Sequence, residues 1–434
     1  MPRGFYLVMA AQFFSSLADN ALLIAAIALI QQLHGPSWLA PMAKWSFALS
    51  YVVLAAFVGA FADSRPKGRV MFYTNTIKVA GCLLMFCYGS FGLTTDQQTY
   101  LVLVAYAVVG IGAAAYSPAK YGIVTEMLPP SLLVKGNSWI EGLTVVSVLL
   151  GVMVGGALIS PAISSRILSW HIVPGLSTPA EAALVVIALV YVVAAIFNLL
   201  IPRTGVIYPP QHTSPVRLVK EFSYYVRTLW RDKLGQISLA VTTLFWGAGA
   251  TLQMVVIEWG GQHLGLTLDE SSILMGVAAV GTIGGAILAG RVPLKRALTV
   301  LSMGVGMGFV VLLMPLVENM VAVYILLILI GGLGGFFVVP MNALLQHRGH
   351  VLLSAGHSIA VQNFNEQLNI LLMVAAYSLM LWMDISINVI IVMFGLLVSS
   401  LMLMIMAWNR ANHRADPNLD DQIGHHGYGT ALKR

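Results

Sequence analysis

The feature that most restricts this chain is a succession of apolar runs, each long enough to cross a bilayer, joined by short loops. A hydrocarbon layer of about 30 Å takes about 20 residues of helix. Within that layer the backbone N–H and C=O groups must be satisfied internally, which a helix does by itself. Reading apolar runs against charged, Gly and Pro breakers gives about twelve spans, near 5–33, 39–62, 69–92, 98–127, 134–160, 181–202, 235–262, 271–290, 297–316, 319–346, 355–382 and 386–409. Composition agrees, since 58% of the 434 residues are hydrophobic and only 9% charged, against roughly a quarter charged in soluble domains. The expected fold is an all-α polytopic membrane protein.

A formal net charge of +6 would suit nucleic acid if it formed a patch, but the basic residues sit in loops between spans. Arg65, Lys67, Arg69, Lys135, the cluster Arg217, Lys220, Arg227, Arg231 and Lys233, then Arg291, Lys295, Arg296 and Arg348 fall on one side. Arg166 stands almost alone on the other. The positive-inside rule then places both termini in the cytoplasm. The organisation expected is a six-helix half over 1–202, a basic linker over 203–234, a second six-helix half over 235–409, and a disordered cytoplasmic tail over 410–434. The halves echo one another, with a basic turn at 63–69 after the second span and another at 290–296 after the eighth, as in transporters built from repeats. The first segment is too long for a cleavable signal and lacks an Ala-x-Ala exit. Cys82 and Cys87 point to different helix faces, so neither a disulfide nor a metal pair is expected. The outer loop 161–180 reads either as an interfacial element or as a plain loop, and His425 and His426 in the tail read as solvated.

The polar residues inside the spans carry the functional signal. Asp19 lies at the middle of the first span, where a carboxylate is costly unless it meets protein, water or a counter-charge. Gln12, Ser15 and Ser16 share its helical stripe, which suits either helix–helix glue or a solute or proton path. Lys120, in Tyr116-Ser-Pro-Ala-Lys-Tyr-Gly122, needs an anion or a route to the interface, and if near Asp19 would favour its ionised form. Lys44 and Lys78 lie nearer span ends and are expected to snorkel. Asn137, Glu141 and Thr144 align on the fifth span, and Asn342 and Gln346 follow Pro340 on the tenth. The eleventh span holds Gln362, Asn363, Asn365, Glu366, Gln367 and Asn369, with Gln362, Glu366 and Asn369 on one face. Six polar groups in eight residues exceed what helix association needs and call for water or a polar ligand. On the seventh span Gln253 shares a face with Trp246, and Glu258 lies toward its outer end. In the turn 59–69, Gly59 is expected at a close helix approach, with Asp63, Arg65 and Arg69 as a cytoplasmic gate. No nucleophile–base constellation, metal cluster or nucleotide-binding Gly-rich loop is present, so neither enzyme activity nor a cofactor is expected.

The turn at 59–69 is similar to the signature loop of the major facilitator superfamily, Gly-x-x-x-Asp-Arg-x-Gly-Arg-Arg, with its arginine one residue late. Longer strings are more specific: Asp19-Asn20-Ala-Leu-Leu, Gly112-Ala-Ala-Ala-Tyr-Ser-Pro-Ala-Lys120-Tyr-Gly-Ile123, Phe245-Trp-Gly-Ala-Gly249, Gly334-Gly-Phe-Phe-Val-Val-Pro-Met-Asn-Ala-Leu-Leu-Gln346 and Ala360-Val-Gln-Asn363 with Glu366. Through them the chain, over roughly 11–408, resembles the bacterial lysophospholipid transporters of that superfamily. The resemblance implies a flippase carrying lysophosphatidylethanolamine and related lysolipids inward across the inner membrane. Re-acylation by an acyltransferase–acyl-carrier-protein synthetase, here a separate partner, would follow. It implies Asp19, Asn20, Lys120, Asn342, Gln346, Gln362, Asn363 and Glu366 as a polar lining, and alternating access with lateral entry of the acyl chain between the halves. Enterobacterial relatives carry arginine where Gln253 stands, and their loop matching 161–180 is shorter. The competing readings are a proton-coupled exporter of amphipathic drugs, with Asp19 and Glu366 as proton carriers, and a non-transporting membrane enzyme or scaffold.

Overall fold

The computed structural model describes residues 2–62, 64–128, 130–170, 175–205, 214–353 and 355–423. Among them the regular elements are all helical: α1 (Arg3–Gln32), α2 (Leu39–Ala62), α3 (Lys67–Phe86), α4 (Thr95–Met127), α5 (Pro130–Ile159), α6 (Pro161–Ser169), α7 (Pro179–Leu199), α8 (Pro215–Arg231), α9 (Lys233–Gln262), α10 (Leu268–Ala289), α11 (Leu301–Val311), α12 (Met320–Leu352), α13 (Ala355–Trp382) and α14 (Ile387–Ala415). Eleven segments among the described residues are long and apolar enough to span a membrane. The expected third span overlaps α3, which is not one of the eleven; Arg69, Asn75 and Lys78 lower its hydropathy. Local signals set the helix starts. Thr94 with Gln97 and Thr178 with Glu181 form capping boxes on α4 and α7, each satisfying two otherwise orphaned N–H groups. Asn319 caps α12.

The chain forms two compact units, the first of which draws on both sides of the 203–234 segment: Met1–Thr213 with Ala250–Gly276 and Ile370–Ile387, and Ser214–Gly249 with Val277–Asn369 and Asn388–Arg434. In the first unit α1 packs on α5 and α7, and α4 on α2 and α3. Gly151 and Gly155 of α5 make the α1 contact possible, since a Cβ on them would lie 2.5 Å from the Leu17 carbonyl and 2.8 Å from that of Ala21. In the second unit Gly281 and Gly285 of α10 meet Gly331 and Gly335 of α12 so closely that a Cβ on Gly281 or Gly285 would sit 2.0 Å from a backbone oxygen. Small residues four apart are how membrane helices associate where lipid removes the hydrophobic driving force. Gly59 is not such a site: a Cβ there would meet nothing within 4 Å.

The linker and the tail differ from the sequence expectation. The linker contains α8, an amphipathic helix started by Ser214 and Pro215, whose apolar residues hid inside a stretch read as polar and basic. The segment 161–180, read as either an interfacial element or a plain loop, begins with the short helix α6, with Pro161 at its first turn, followed by exposed Trp170. The ninth span is found as Leu294–Leu316, opening in a 3-10 stretch (Leu294–Val300) that runs directly into α11. The tail is ordered beyond 410: α14 runs to Ala415 and a 3-10 turn follows (Leu419–Gln422), with Leu419 and Ile423 buried. Those two apolar side chains have somewhere to pack. The tail's paired histidines lie outside the described residues.

Candidate functional site

Asp19 is 7% exposed at the centre of α1, and its charge is matched inside the first unit. Lys78 Nζ of α3 lies 2.7 Å from Asp19 Oδ2, and the Tyr191 hydroxyl of α7 donates to Oδ1 at 2.7 Å. The Tyr106 hydroxyl of α4 donates to the Asp19 backbone oxygen at 2.8 Å. Lys78 Nζ also donates to Ser15 Oγ at 2.9 Å, and Ser15 donates to Asn75 Oδ1 at 2.7 Å. The ammonium sits over the Tyr116 ring, 5.2 Å from its centroid. Lys78 is 2% exposed, which corrects the expectation that it snorkels. Its stem is enclosed by four helices, and the carboxylate it meets makes burial tolerable. The cation at Asp19 is therefore Lys78, while Lys120, buried on α4, lies 4.5 Å from the Tyr121 ring centroid. Two polar atoms beside the pair, Asn75 Nδ2 and the Tyr116 hydroxyl, have no partner among the described residues.

The other candidates of this unit spread along its helices. Asn20 is buried, donates to the Ser16 carbonyl at 3.0 Å and leaves Oδ1 unpartnered among the described residues. Gln12 donates to Thr144 of α5, so part of the α1 stripe is helix glue. The side chains of Asn137 and Glu141 lie outside the described residues. Gln253 is 3% exposed with Nε2 unpartnered among the described residues, and Glu258 accepts from Gln262. Of the expected gate, Asp63 lies outside the described residues, Arg69 is exposed, and Arg65 lies 6.0 Å from the Tyr73 ring centroid.

The second unit holds a polar face of a different kind. Gln362 Nε2 on α13 donates to Glu366 Oε1 at 2.7 Å, one turn on, and to Asn342 Oδ1 of α12 at 2.9 Å. Asn369 donates to the Thr243 carbonyl of α9 at 2.9 Å. Glu366 is 7% exposed, and Gln346 and Asn363 are half-buried on the same two helices. The face expected from spacing is thus assembled, with Asn342 joined to it.

At one end of this unit the structure adds residues that sequence reasoning missed. Asp232, between α8 and α9, accepts from both Nε (2.9 Å) and Nη2 of Arg348 at the end of α12, and caps Gly235 at 2.7 Å. Trp230 of α8 donates from Nε1 to Asn365 Oδ1 at 3.0 Å, Tyr225 stacks on His357 at 4.2 Å, and Trp230 lies parallel to Trp408. Partial burial, then the nearby Glu221 carboxylate, raise the Tyr225 phenol above its ordinary pKa. The available signal was Asp232 directly before an apolar run, a helix-capping position.

Residues 8–368 match the model of the Major Facilitator Superfamily. A solved bacterial homologue of the human lysosomal transporter Spinster, in an inward-facing and occupied conformation, superposes with a TM-score of 0.65, covering 96% of this chain and 97% of that one. At 14% identity that likeness shows the fold. These findings define a multi-pass membrane protein with the superfamily's fold. The lysophospholipid transporter LplT of Pectobacterium carotovorum subsp. carotovorum (strain PC1) is 40% identical over 389 residues, 89% of each chain. LplT of Yersinia enterocolitica serotype O:8 / biotype 1B is 42% identical over 380 residues, 87% of each. The chain belongs to the Major Facilitator Superfamily and, within it, to the family of these lysophospholipid transporters.

Proposed function

We propose that this protein moves lysophospholipids, lysophosphatidylethanolamine first among them, inward across the bacterial inner membrane by alternating access. The observation that carries the reading is the 40–42% identity over most of the chain to proteins named as lysophospholipid transporters. The chemistry of the buried groups supports it. A phosphoethanolamine headgroup carries one ammonium and one phosphate, the same two charges that Lys78 and Asp19 hold in the first unit. It can exchange with that pair, ammonium to Asp19 and phosphate to Lys78, leaving no charge unmatched. In the second unit Glu366, which accepts from Gln362, offers the ammonium a second carboxylate. Asn20, Lys120, Gln253, Gln346 and Asn363 complete the polar lining.

On this reading both termini and the 203–234 linker are cytoplasmic, 1–202 and 235–409 act as the two halves, and Asp63, Arg65 and Arg69 latch the cytoplasmic side. The product goes to a separate acyltransferase–acyl-carrier-protein synthetase. The test is uptake of labelled lysophosphatidylethanolamine and of lysophosphatidate, which lacks the ammonium, into proteoliposomes. Uptake of the zwitterion with at least tenfold preference is expected. Efflux of cationic amphiphiles with no lysolipid movement would replace this reading with drug export.

A further inference from the structure

We infer that the outward face of α8 is a docking surface for the anionic phospholipid headgroups of the leaflet it borders. The helix has two unlike sides. Its inner side is committed to the second unit, where Leu229 is buried with Leu239, Leu345 and Val361, and Phe222, Tyr225, Val226 and Trp230 pack around them. Its outer side carries Val216, Lys220, Tyr224, Arg227 and Arg231 at helical steps, and all five are exposed. Arg217 and Val219 flank this stripe, and Glu221, the only acid of the helix, is engaged by Arg217 at 2.9 Å. The stripe is thus cationic without a free carboxylate.

Two further observations select a lipid surface as the occupant. Val216 and Tyr224 are each 65% exposed among the cations. A soluble protein face gains little from such residues, whereas an interfacial helix sets them at the headgroup–acyl boundary. The helix is also held at membrane level by covalent geometry, because a single residue separates Arg231 from Lys233, the first residue of spanning α9. The aliphatic stems of Lys220, Arg227 and Arg231 can lie along the apolar boundary while their charges reach phosphates. Each such charge near an anionic leaflet changes affinity about fivefold at moderate salt. What docks on this face is felt further in, since the same helix holds Asn365 of α13 through Trp230.

The experiment is amide hydrogen exchange over 215–231 of the full-length protein in nanodiscs of phosphatidylcholine, with and without added phosphatidylglycerol. Slower exchange with phosphatidylglycerol is expected, abolished by high salt and by combined Lys220→Gln, Arg227→Gln and Arg231→Gln. These side chains are exposed, so exchange in α9 and α12 should stay unchanged and serve as the folding control. Equal exchange in both lipids, or a lipid effect that survives the triple substitution, would overturn the proposal. The first of these would leave the face to an acidic soluble partner.

Discussion

The first unit meets a buried carboxylate with a full charge from another helix, whereas in the second a buried carboxylate accepts from an amide one turn earlier on its own helix. Asp19 draws Lys78, Tyr106 and Tyr191 from α3, α4 and α7, so its partners are 59 to 172 residues away in sequence. Glu366 accepts from Gln362 one turn earlier, and the same Gln362 amide also donates to Asn342 of the neighbouring helix. A pair of full charges spread across helices is coupled to the fold, because losing one partner strands the other in low dielectric. A carboxylate that accepts from a neutral amide on its own helix strands no opposite charge when it is altered, so its structural cost is expected to be smaller.

Breaking the charge pair should have the largest effect. Lys78→Ala leaves Asp19 buried without its cation and should cost about 3–5 kcal/mol of stability, seen as a large fall in the thermal midpoint of purified protein. Asp19→Asn combined with Lys78→Gln should recover more than half of that loss. A cost of Lys78→Ala within about 0.5 kcal/mol, the range of ordinary surface changes, would remove the contrast. Arg348→Ala should come next, at about 1.5–3 kcal/mol for hydrogen bonds to a charged group, because Asp232 keeps Gly235. For the local face, Glu366→Gln should lower lysolipid transport roughly tenfold, about 1.4 kcal/mol, while the thermal midpoint stays near wild type. An equal fall in stability would mean that this face too is structural. Trp230→Phe should have the smallest effect, about 1 kcal/mol for one neutral hydrogen bond, measured as faster amide exchange in α8.

Much of this was legible in the chain. Spans can be read because a run of apolar residues about 20 long has few other uses, and Asp19 stood out because it had no neighbour of opposite charge on its own helix. The α13 face was legible because Gln362 and Glu366 meet at i, i+4. The identity of the cation was not legible. Lys78 looked near a span end, and only the packing of α3 beside α1, with Tyr191 brought from α7, reveals that it points inward. The linker helix was hidden for another reason: Pro209, Pro210 and Pro215 and five basic residues outweighed the period of Phe222, Tyr225, Val226 and Leu229. The ordered end of the tail rests on Leu419 and Ile423, two apolar residues whose docking place is tertiary.

On the proposed function, the buried Asp19–Lys78 pair serves a zwitterionic lysolipid without a proton carrier. The direct measurement is inward movement of labelled lysophosphatidylethanolamine in proteoliposomes, with and without a proton gradient, for wild type, Asp19→Asn and the double variant. Wild-type transport should be indifferent to the gradient and fall at least tenfold in Asp19→Asn, and equally in Asp19→Asn combined with Lys78→Gln, where no buried charge is stranded. Transport that collapses with the gradient would contradict that role, because Asp19 would then be a carrier of protons and not a partner for the headgroup.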